Sequence, residues 1–185
     1  PMCINTTKGL YVAHILTKYG TIDIVMDQTQ TPITVNSFVF LATHHFYDGL
    51  TFHRVVSNPN VAQGGDPYSA NPADASKVGT GGPGYNFPNE YPTSATVYRL
   101  GAVAMANNGQ SGSTGSQFFI CKSDLSNALQ PTYNLLGNLT VASYPVLQKI
   151  KQGDVIESIT ITYNPNGDPG VDTSGGVVPT ATATP

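Results

Sequence analysis

The chain lacks tryptophan, contains only two cysteines, and is poor in charge. Asp, Glu, Lys and Arg together make up 10% of its 185 residues, and the formal net charge is −3. A nucleic-acid or anionic-membrane surface would need clustered Lys and Arg, and no run of like charges occurs. No stretch is long and apolar enough to cross a bilayer as a helix. Nucleic acid is therefore excluded as an expected partner.

The two cysteines are too few for a disulfide framework, and their spacing does not suggest a metal site. Cys121 lies in the apolar run FFIC, so we expect it to be a buried small hydrophobic residue. Cys3 lies near the start of the chain. A bridge between Cys3 and Cys121 stays open as an alternative.

Glycine and proline, in contrast, are plentiful, with 19 and 14 residues, and tyrosine contributes 10. This composition is typical of a turn-rich, largely β domain rather than a helical bundle. The length suffices for one domain with a sizeable core. We expect that domain to be a monomer spanning residues 1–163. Residues 164–185, which end in PTATATP, are expected to form a flexible Pro/Thr/Gly-rich tail or linker.

Hydrophobic periodicity predicts the elements. Residues 11–27 predict two strands around a turn at 18–20, because apolar and polar residues alternate there. A helix is predicted over residues 32–44, with Thr31 as its cap and Pro32 at its first position. A short second helix is predicted over 145–151 and a final strand over 155–161. Between them, short apolar runs alternate with loops, which predicts a closed or nearly closed barrel, because closure removes exposed sheet edges.

The sequence GTGGPG, residues 79–84, matches the letters of a dinucleotide-binding fingerprint. No predicted strand leads into it, Pro83 lies within it, and no helix signal follows, so the setting is wrong for phosphate binding. A tight glycine-rich loop is the better interpretation.

Three histidines, His44, His45 and His53, are close in sequence and raise the question of a metal site. Adjacent histidines at a helix end do not point at one centre, and no carboxylate lies at ligand spacing on the same element. We therefore expect no metal. The serines of GQSGSTGSQ, residues 109–117, also lack the strand–turn–helix setting of a hydrolase nucleophile.

Arg54 lies in the apolar run FHRVV, in a chain with only one other arginine, Arg99. A surface strand could carry it, because long basic side chains reach water. A site that needs a permanently protonated donor beside apolar walls would also carry it. One reaction that needs such a site, but neither nucleophile, metal nor cofactor, is rotation about a prolyl amide bond.

The barrier to that rotation is about 18–20 kcal/mol and arises from conjugation of the amide. Twisting the bond localises a lone pair on the prolyl nitrogen, and a donor aimed there would stabilise the twisted state over both planar isomers. An ordinary enzyme turnover would need roughly 3–7 kcal/mol of differential stabilisation. A well-aimed charged hydrogen bond, with desolvation and orientation, could supply that amount.

Several motifs in order resemble the cyclophilin-type peptidyl-prolyl cis–trans isomerases. They are FHRVV followed by QGGDP, then GTGGPGY, GAVAMAN and GSQFFI, and the likeness runs from about Gly20 to Ile161. The resemblance implies a mainly β fold, a closed eight-stranded antiparallel barrel capped by two α-helices, with a substrate groove on its outer wall. It implies proline-containing peptides or unfolded proteins as partners, a role in protein folding, and no cofactor.

The resemblance also implies site residues. Arg54 corresponds to the catalytic arginine, and Gln63 to a residue that orients the substrate. Asn107 corresponds to a residue whose backbone binds the substrate peptide. The other residues implied to form the groove and the proline socket are Val61, Ala106, Gln117, Phe119, Leu129 and Tyr133, the last at a position where the family has histidine.

The chain departs from the family at the socket floor, where Asn60 takes the place of the usual Phe. An unpaired amide in an apolar slot would cost about 1–3 kcal/mol. The loop before it, SNPN, is about one residue longer than the family pattern. Asn60 therefore motivates an alternative, a catalytically weak module that binds proline peptides.

Ala128 falls where some family members carry Trp, so we expect weak cyclosporin binding at most. The low charge and the Pro/Thr tail favour an extracytoplasmic or membrane-tethered location over the cytoplasm.

Overall fold

The computed structural model describes residues 2–167 and has a mainly β architecture with two α-helices. Residues 168–185, most of the expected tail, lie outside this range. The strands are β1 Leu10–Thr17, β2 Gly20–Met26, β3 Arg54–Ser57, β4 Asn60–Gly64, β5 Ala102–Met105, β6 Phe118–Cys121, β7 Leu135–Leu139 and β8 Ser158–Asn164. The helices are α1 Pro32–Thr43 and α2 Tyr144–Lys149. The two strands predicted over 11–27 and both helices are confirmed, whereas the last strand begins three residues later than predicted.

All eight strands belong to one antiparallel sheet in the order β3-β4-β6-β5-β7-β2-β1-β8. The expected closed barrel is not confirmed, because β3 and β8 end the sheet and share no ladder within the described residues. Instead, backbone hydrogen bonds join the segments that precede these two strands. Phe52 N donates to Asp154 O over 2.8 Å, and Ile156 N donates to Leu50 O over 2.8 Å.

Helix α1 begins where the sequence indicates, but its N-terminus is stabilised differently. The Thr31 side chain makes no capping bond and donates instead to the Leu135 carbonyl over 2.7 Å. The Glu90 carboxylate accepts the backbone N–H groups of Ile33 and Thr34 over 3.0 and 2.8 Å. A negative charge at this end also suits the helix dipole. Thr31 is the N-cap residue of α1, as predicted, but its side chain does not cap the helix, because the Glu90 carboxylate accepts the free N–H groups instead.

Alternation along the strands separates two apolar clusters. The main core packs strand residues against both helices, and its members include Ile15, Ile24, Phe38, Ala62, Phe118, Ile120, Leu147 and Ile159. The groove-side cluster consists of Val61, Tyr98, Ala102, Ala104, Phe119, Cys121, Leu125 and Leu135. Neighbours in one strand thus belong to different clusters, as period-two side-chain geometry requires.

Both cysteines are free. Cys121 is fully buried as predicted, while Cys3 is exposed, so the alternative of a bridge between them is not supported. Among the described residues, no helix is both long and apolar enough to cross a membrane.

Candidate functional site

Arg54 borders an open cavity of about 470 Å³, here called the Arg54 cavity. It lies against β3, β4 and β6 and is completed by the segment after β5 and by residues 128–133. Its lining residues are Arg54, Asn58, Pro59, Val61, Gln63, Ala106, Asn107, Phe119, Ala128, Leu129 and Tyr133. Eight of the ten residues expected at the site therefore meet here; Asn60 and Gln117 do not line this cavity.

Phe119 and Val61 form apolar walls of the cavity. Both are buried and belong to the groove-side cluster, not to the main core. Phe119 is 6% exposed, and its ring meets that of Tyr133 edge-on, with centroids 5.2 Å apart. Edge-to-face contacts of this kind are favourable for aromatic rings. A small apolar ring, such as that of proline, could be received between these side chains.

Arg54 is exposed and begins β3 directly opposite Gln63 of β4. Its Nη1 donates to Gln63 Oε1 over 3.1 Å. The side chain therefore does not extend freely into solvent, because one edge of the guanidinium is held at the rim of the cavity. This answers the question raised by an arginine within an apolar run: the run forms a strand beside an apolar hollow.

Gln63 continues the contact towards the interior. Its Nε2 donates to Gln117 Oε1 over 3.0 Å. Gln117 Nε2 in turn lies within bonding distance of three acceptors, Asp66 Oδ2 at 3.1 Å and the carbonyls of Gly79 and Gly81 at 3.1 and 2.9 Å. Gln117 is 9% exposed, and both ends of its amide are bonded within the protein. We refer to the series Arg54–Gln63–Gln117–Asp66 as the relay.

Asp66 ends the relay and is fully buried. Its carboxylate accepts backbone N–H groups from Tyr68 at 2.8 Å, Gly79 at 2.6 Å and Gly81 at 3.0 Å. The predicted glycine-rich loop is confirmed, and its amides surround a carboxylate of the protein itself. Backbone amides arranged in this way form an anion-binding concavity.

His53 lies beside the relay, and both of its ring nitrogens are buried without a hydrogen-bond partner among the described residues. Burial lowers the pKa of His53, and the nearby Asp66 carboxylate opposes that shift in part. His44 instead contacts the Phe40 carbonyl at 2.8 Å, and His45 contacts Asp48 at 2.9 Å. Within residues 2–167, no three His, Cys, Asp or Glu side chains are grouped to hold a metal.

A second cavity of about 690 Å³ adjoins the first. The two share Gln63, Ala106 and Asn107, and Gln117 lines only the second. The glycine-rich loop and the rings of Tyr68 and Tyr85 form much of its wall. An extended peptide lying across Asn107 would therefore reach both cavities.

Asn60 is not among the residues that line the Arg54 cavity, contrary to the expectation that it forms the socket floor. Side chains alternate along β4, so Asn60 shares a face with Ala62, whereas Val61 and Gln63 face the cavity. Pro59 lines the cavity instead. The turn between β3 and β4 therefore contributes Pro59 to the lining, and the Asn60 amide is not part of it.

Asn107 follows β5, and its side chain is used within the protein. Its Nδ2 donates to the Thr132 carbonyl over 2.7 Å, and its Oδ1 accepts the Gly109 N–H over 3.0 Å.

Sequence reasoning missed Pro59 and Asp66. The signal for Asp66 was available, since it directly follows the QGG motif, but nothing in the sequence indicated that the GTGGPG loop would fold onto it.

The family model described as cyclophilin type peptidyl-prolyl cis-trans isomerase/CLD matches residues 12–166 of the chain. A peptidyl-prolyl cis-trans isomerase of Helicobacter pylori (strain ATCC 700392 / 26695) is 40% identical over 151 residues, covering 81% of this chain and 86% of that protein. A probable peptidyl-prolyl cis-trans isomerase B of Mycobacterium tuberculosis (strain ATCC 25618 / H37Rv) is 36% identical over 165 residues, covering 82% of this chain and 50% of that protein.

Solved structures show the same likeness. A cyclophilin type peptidyl-prolyl cis-trans isomerase of Cryptosporidium parvum superposes with a TM-score of 0.69 at 27% identity, covering 84% of this chain and 99% of the other. A crystal structure of that protein in the presence of the dipeptide Ala-Pro superposes with a TM-score of 0.63 at 26% identity, covering 84% and 96% of the two chains.

Proposed function

Since the chain belongs to the cyclophilin-type peptidyl-prolyl cis–trans isomerases and is an enzyme of that class, we propose that isomerisation takes place in the Arg54 cavity, with Arg54 as the catalytic residue. The observation that carries this assignment is the position of one guanidinium at the rim of a cavity of about 470 Å³ that has Phe119 and Val61 in its walls. A permanently charged donor and an apolar socket are the two features that rotation about an X-Pro bond requires.

Rotation begins with the proline ring held between Phe119, Val61 and Leu129, which fixes one side of the amide bond. As the bond twists, conjugation is lost and the prolyl nitrogen becomes pyramidal with a localised lone pair. An Arg54 N–H donates to that lone pair, which is unavailable in either planar isomer. The interaction therefore stabilises the transition state more than the ground states. No bond to the protein forms or breaks.

The peptide on either side of the proline would be held by Asn107 and Gln63. The Asn107 side chain is already bonded to the Thr132 carbonyl and the Gly109 N–H, which leaves its main chain for pairing with a peptide. Main-chain contacts do not depend on which side chains the peptide carries, so we propose flexible proline-containing peptides and unfolded proteins as substrates. Assistance to protein folding follows, because uncatalysed isomerisation takes tens to hundreds of seconds.

The test is a protease-coupled or NMR exchange assay on an Ala-Pro-Phe-type peptide. We expect Arg54→Ala to lower kcat/KM by about 10²–10³-fold, the range seen when a single transition-state donor is removed. Arg54→Lys keeps the charge but not the planar, multi-donor head, and should recover only part of the rate. Equal rates for the native chain and Arg54→Ala would remove the assignment.

The rival, a weakly active module that binds proline peptides, was motivated by Asn60. The reason for considering this alternative is weaker now, because Asn60 does not line the Arg54 cavity. The rival predicts saturable shifts in peptide titrations without faster exchange between isomers. Turnover well above the uncatalysed rate in the native chain would end it.

Two further expectations stand as proposals. Ala128 lines the cavity and offers a methyl group where some family members offer an indole, so cyclosporin should bind weakly. A nanomolar Kd by titration would contradict this. An extracytoplasmic location, supported by the low charge and the Pro/Thr tail, is testable by fractionation of the native source.

A further inference from the structure

We infer that Asp66 is a positioning residue for catalysis: its buried carboxylate, acting through Gln117 and Gln63, determines which edge of the Gln63 amide faces Arg54. The inference rests on the proposed role of Arg54. It assigns a function to the contact between the glycine-rich loop and Asp66, and to Gln117, which does not line the Arg54 cavity.

The direction of the relay follows from the donors and acceptors at its inner end. An ionised carboxylate only accepts hydrogen bonds, and so do backbone carbonyls. Gln117 faces three such acceptors, on Asp66, Gly79 and Gly81, at 2.9 to 3.1 Å. Its Nε2 must therefore point inwards, because a flipped amide would set its oxygen against acceptors only.

Each later step follows from the one before. With Nε2 directed inwards, Gln117 Oε1 points to Gln63 and can only accept, so Gln63 must present its Nε2 at 3.0 Å. Gln63 Oε1 is then left facing Arg54 Nη1 at 3.1 Å. Arg54 has donors only, so the outer end requires the same polarity that Asp66 and the two loop carbonyls impose at the inner end.

Burial decreases along the relay from Asp66 to Arg54, so the side chains at the inner end are held more firmly than those at the outer end. Asp66 is fully buried and Gln117 is 9% exposed, whereas Gln63 is half-buried and Arg54 is exposed. Asp66 is itself held by three backbone N–H groups. A flexible arginine at the surface thereby gains a bonding partner whose position is set by the interior. Such preorganisation matters because small misplacements of catalytic groups lower rates strongly.

The glycine-rich loop is shaped around this carboxylate. A Cβ added at Gly81 would lie 2.2 Å from Asp66 Oδ1 and 2.9 Å from Pro67 Cδ. Any larger residue would therefore push the loop away from Asp66, and the Gly81 carbonyl away from Gln117. The GTGGPG sequence lets the backbone approach a carboxylate of the chain itself.

The decisive experiment is a double-mutant cycle in the full chain, with kcat and KM measured on the Ala-Pro-Phe-type peptide. Gln117→Met keeps the side-chain length and removes the amide, and Asp66→Asn removes the charge. We expect Gln117→Met to lower kcat about tenfold with KM changed less than about twofold, because Arg54 loses its orientation while the Arg54 cavity keeps its walls. Asp66→Asn should lower kcat to a smaller extent.

The cycle separates positioning from folding. In an Arg54→Ala background, Gln117→Met should change the residual rate less than about twofold, since the group it positions is gone. Asp74→Asn changes a half-buried carboxylate of the same segment that pairs with Lys77; it is the matched control and should behave as native. If Asp66→Asn proves unfolded by circular dichroism, the Gln117→Met cycle decides alone.

Three results would overturn the inference while leaving the proposed function intact: native kcat in a folded Asp66→Asn variant, native kcat in Gln117→Met, or an equal loss in Gln117→Met with and without Arg54. If Arg54→Ala itself retains native kcat, Arg54 is not the catalytic residue, and the inference about Asp66 is wrong as well.

Discussion

The two faces of β4 and β6 differ in composition and in purpose. On one face, Ala62, Phe118 and Ile120 are fully buried in the main core. On the other, Val61 and Phe119 line an open cavity next to the polar amides of Gln63 and Gln117. The same two strands therefore stabilise the fold on one side and line an open cavity on the other.

The difference shows how a rigid site can remain open. Strand β6 is anchored by Phe118, whose ring contacts those of Phe38, Tyr47 and Phe52. Phe119 is covalently next to that anchor, so its position is set although its own surroundings are incompletely filled. Interiors are close-packed and resist displacement, whereas a cavity wall must leave space for a ligand.

The largest expected effect tests the anchor. Phe118→Ala should lower the free energy of unfolding by about 3–5 kcal/mol, because it leaves a cavity in a fully buried aromatic cluster. Phe119→Ala should lower it by clearly less, because its ring already borders an open cavity. Chemical denaturation of both variants measures the difference. If the two losses were equal, the contrast between the two faces would not hold.

Phe119→Ala should affect activity more strongly than it affects stability. We expect kcat/KM to fall about tenfold or more, since the proline ring loses an apolar wall and Tyr133 loses its edge-on partner. The control is Cys121→Ala, on the same strand and in the same groove-side cluster but outside the cavity lining. That control should keep native kcat/KM.

A smaller effect is expected from Asn60→Phe. Because Asn60 lies on the face of β4 away from the Arg54 cavity, restoring the residue usual in the family should change kcat/KM by less than about threefold. Steady-state assays of this variant beside Asn60→Ser would measure it. A tenfold gain in the Phe variant alone would mean that the Asn60 side chain does reach the socket.

The smallest effect concerns pH. Burial lowers the pKa of His53 below its usual 6.5, with Asp66 opposing the shift and Arg54 adding to it. The unfolded chain therefore binds a proton more readily than the folded one below pH 6.5, and stability is lost as the pH falls from there through the folded pKa. The native chain should lose more unfolding free energy between pH 7.5 and 5.0 than His53→Gln does. Equal losses by denaturant titration would contradict this.

Much of the fold could be predicted because its signals are local. Alternating residues predicted the first two strands, and Pro32 with the apolar face after it predicted α1. The capping of α1 could not be predicted, because Glu90 reaches it from a segment 57 residues away. Closure of the sheet was likewise a long-range question, and the hydrogen bonds between residues 49–52 and 153–156 come from segments outside the named strands.

The candidate site was predictable in part for the same reason. Arg54, Gln63, Asn107 and Phe119 lie in motifs whose order along the chain matches the family, so their positions could be inferred one by one. The sequence assigned Asn60 to the socket floor, whereas Pro59, in the turn before β4, lines the cavity instead. Motif matching retains the residue order but does not contain that geometry.

The sequence alone determined the family, the main strands and helices, and the presence of one arginine among apolar residues. Each of these can be inferred from residues that are close together in the sequence. Only the tertiary structure decided which residues form the cavity and which way the relay runs. Those outcomes depend on the GTGGPG loop closing over Asp66 and on strands far apart in sequence lying side by side. A hydrogen bond is specified by atoms that meet in space, and the one-dimensional order of residues does not state which atoms will meet.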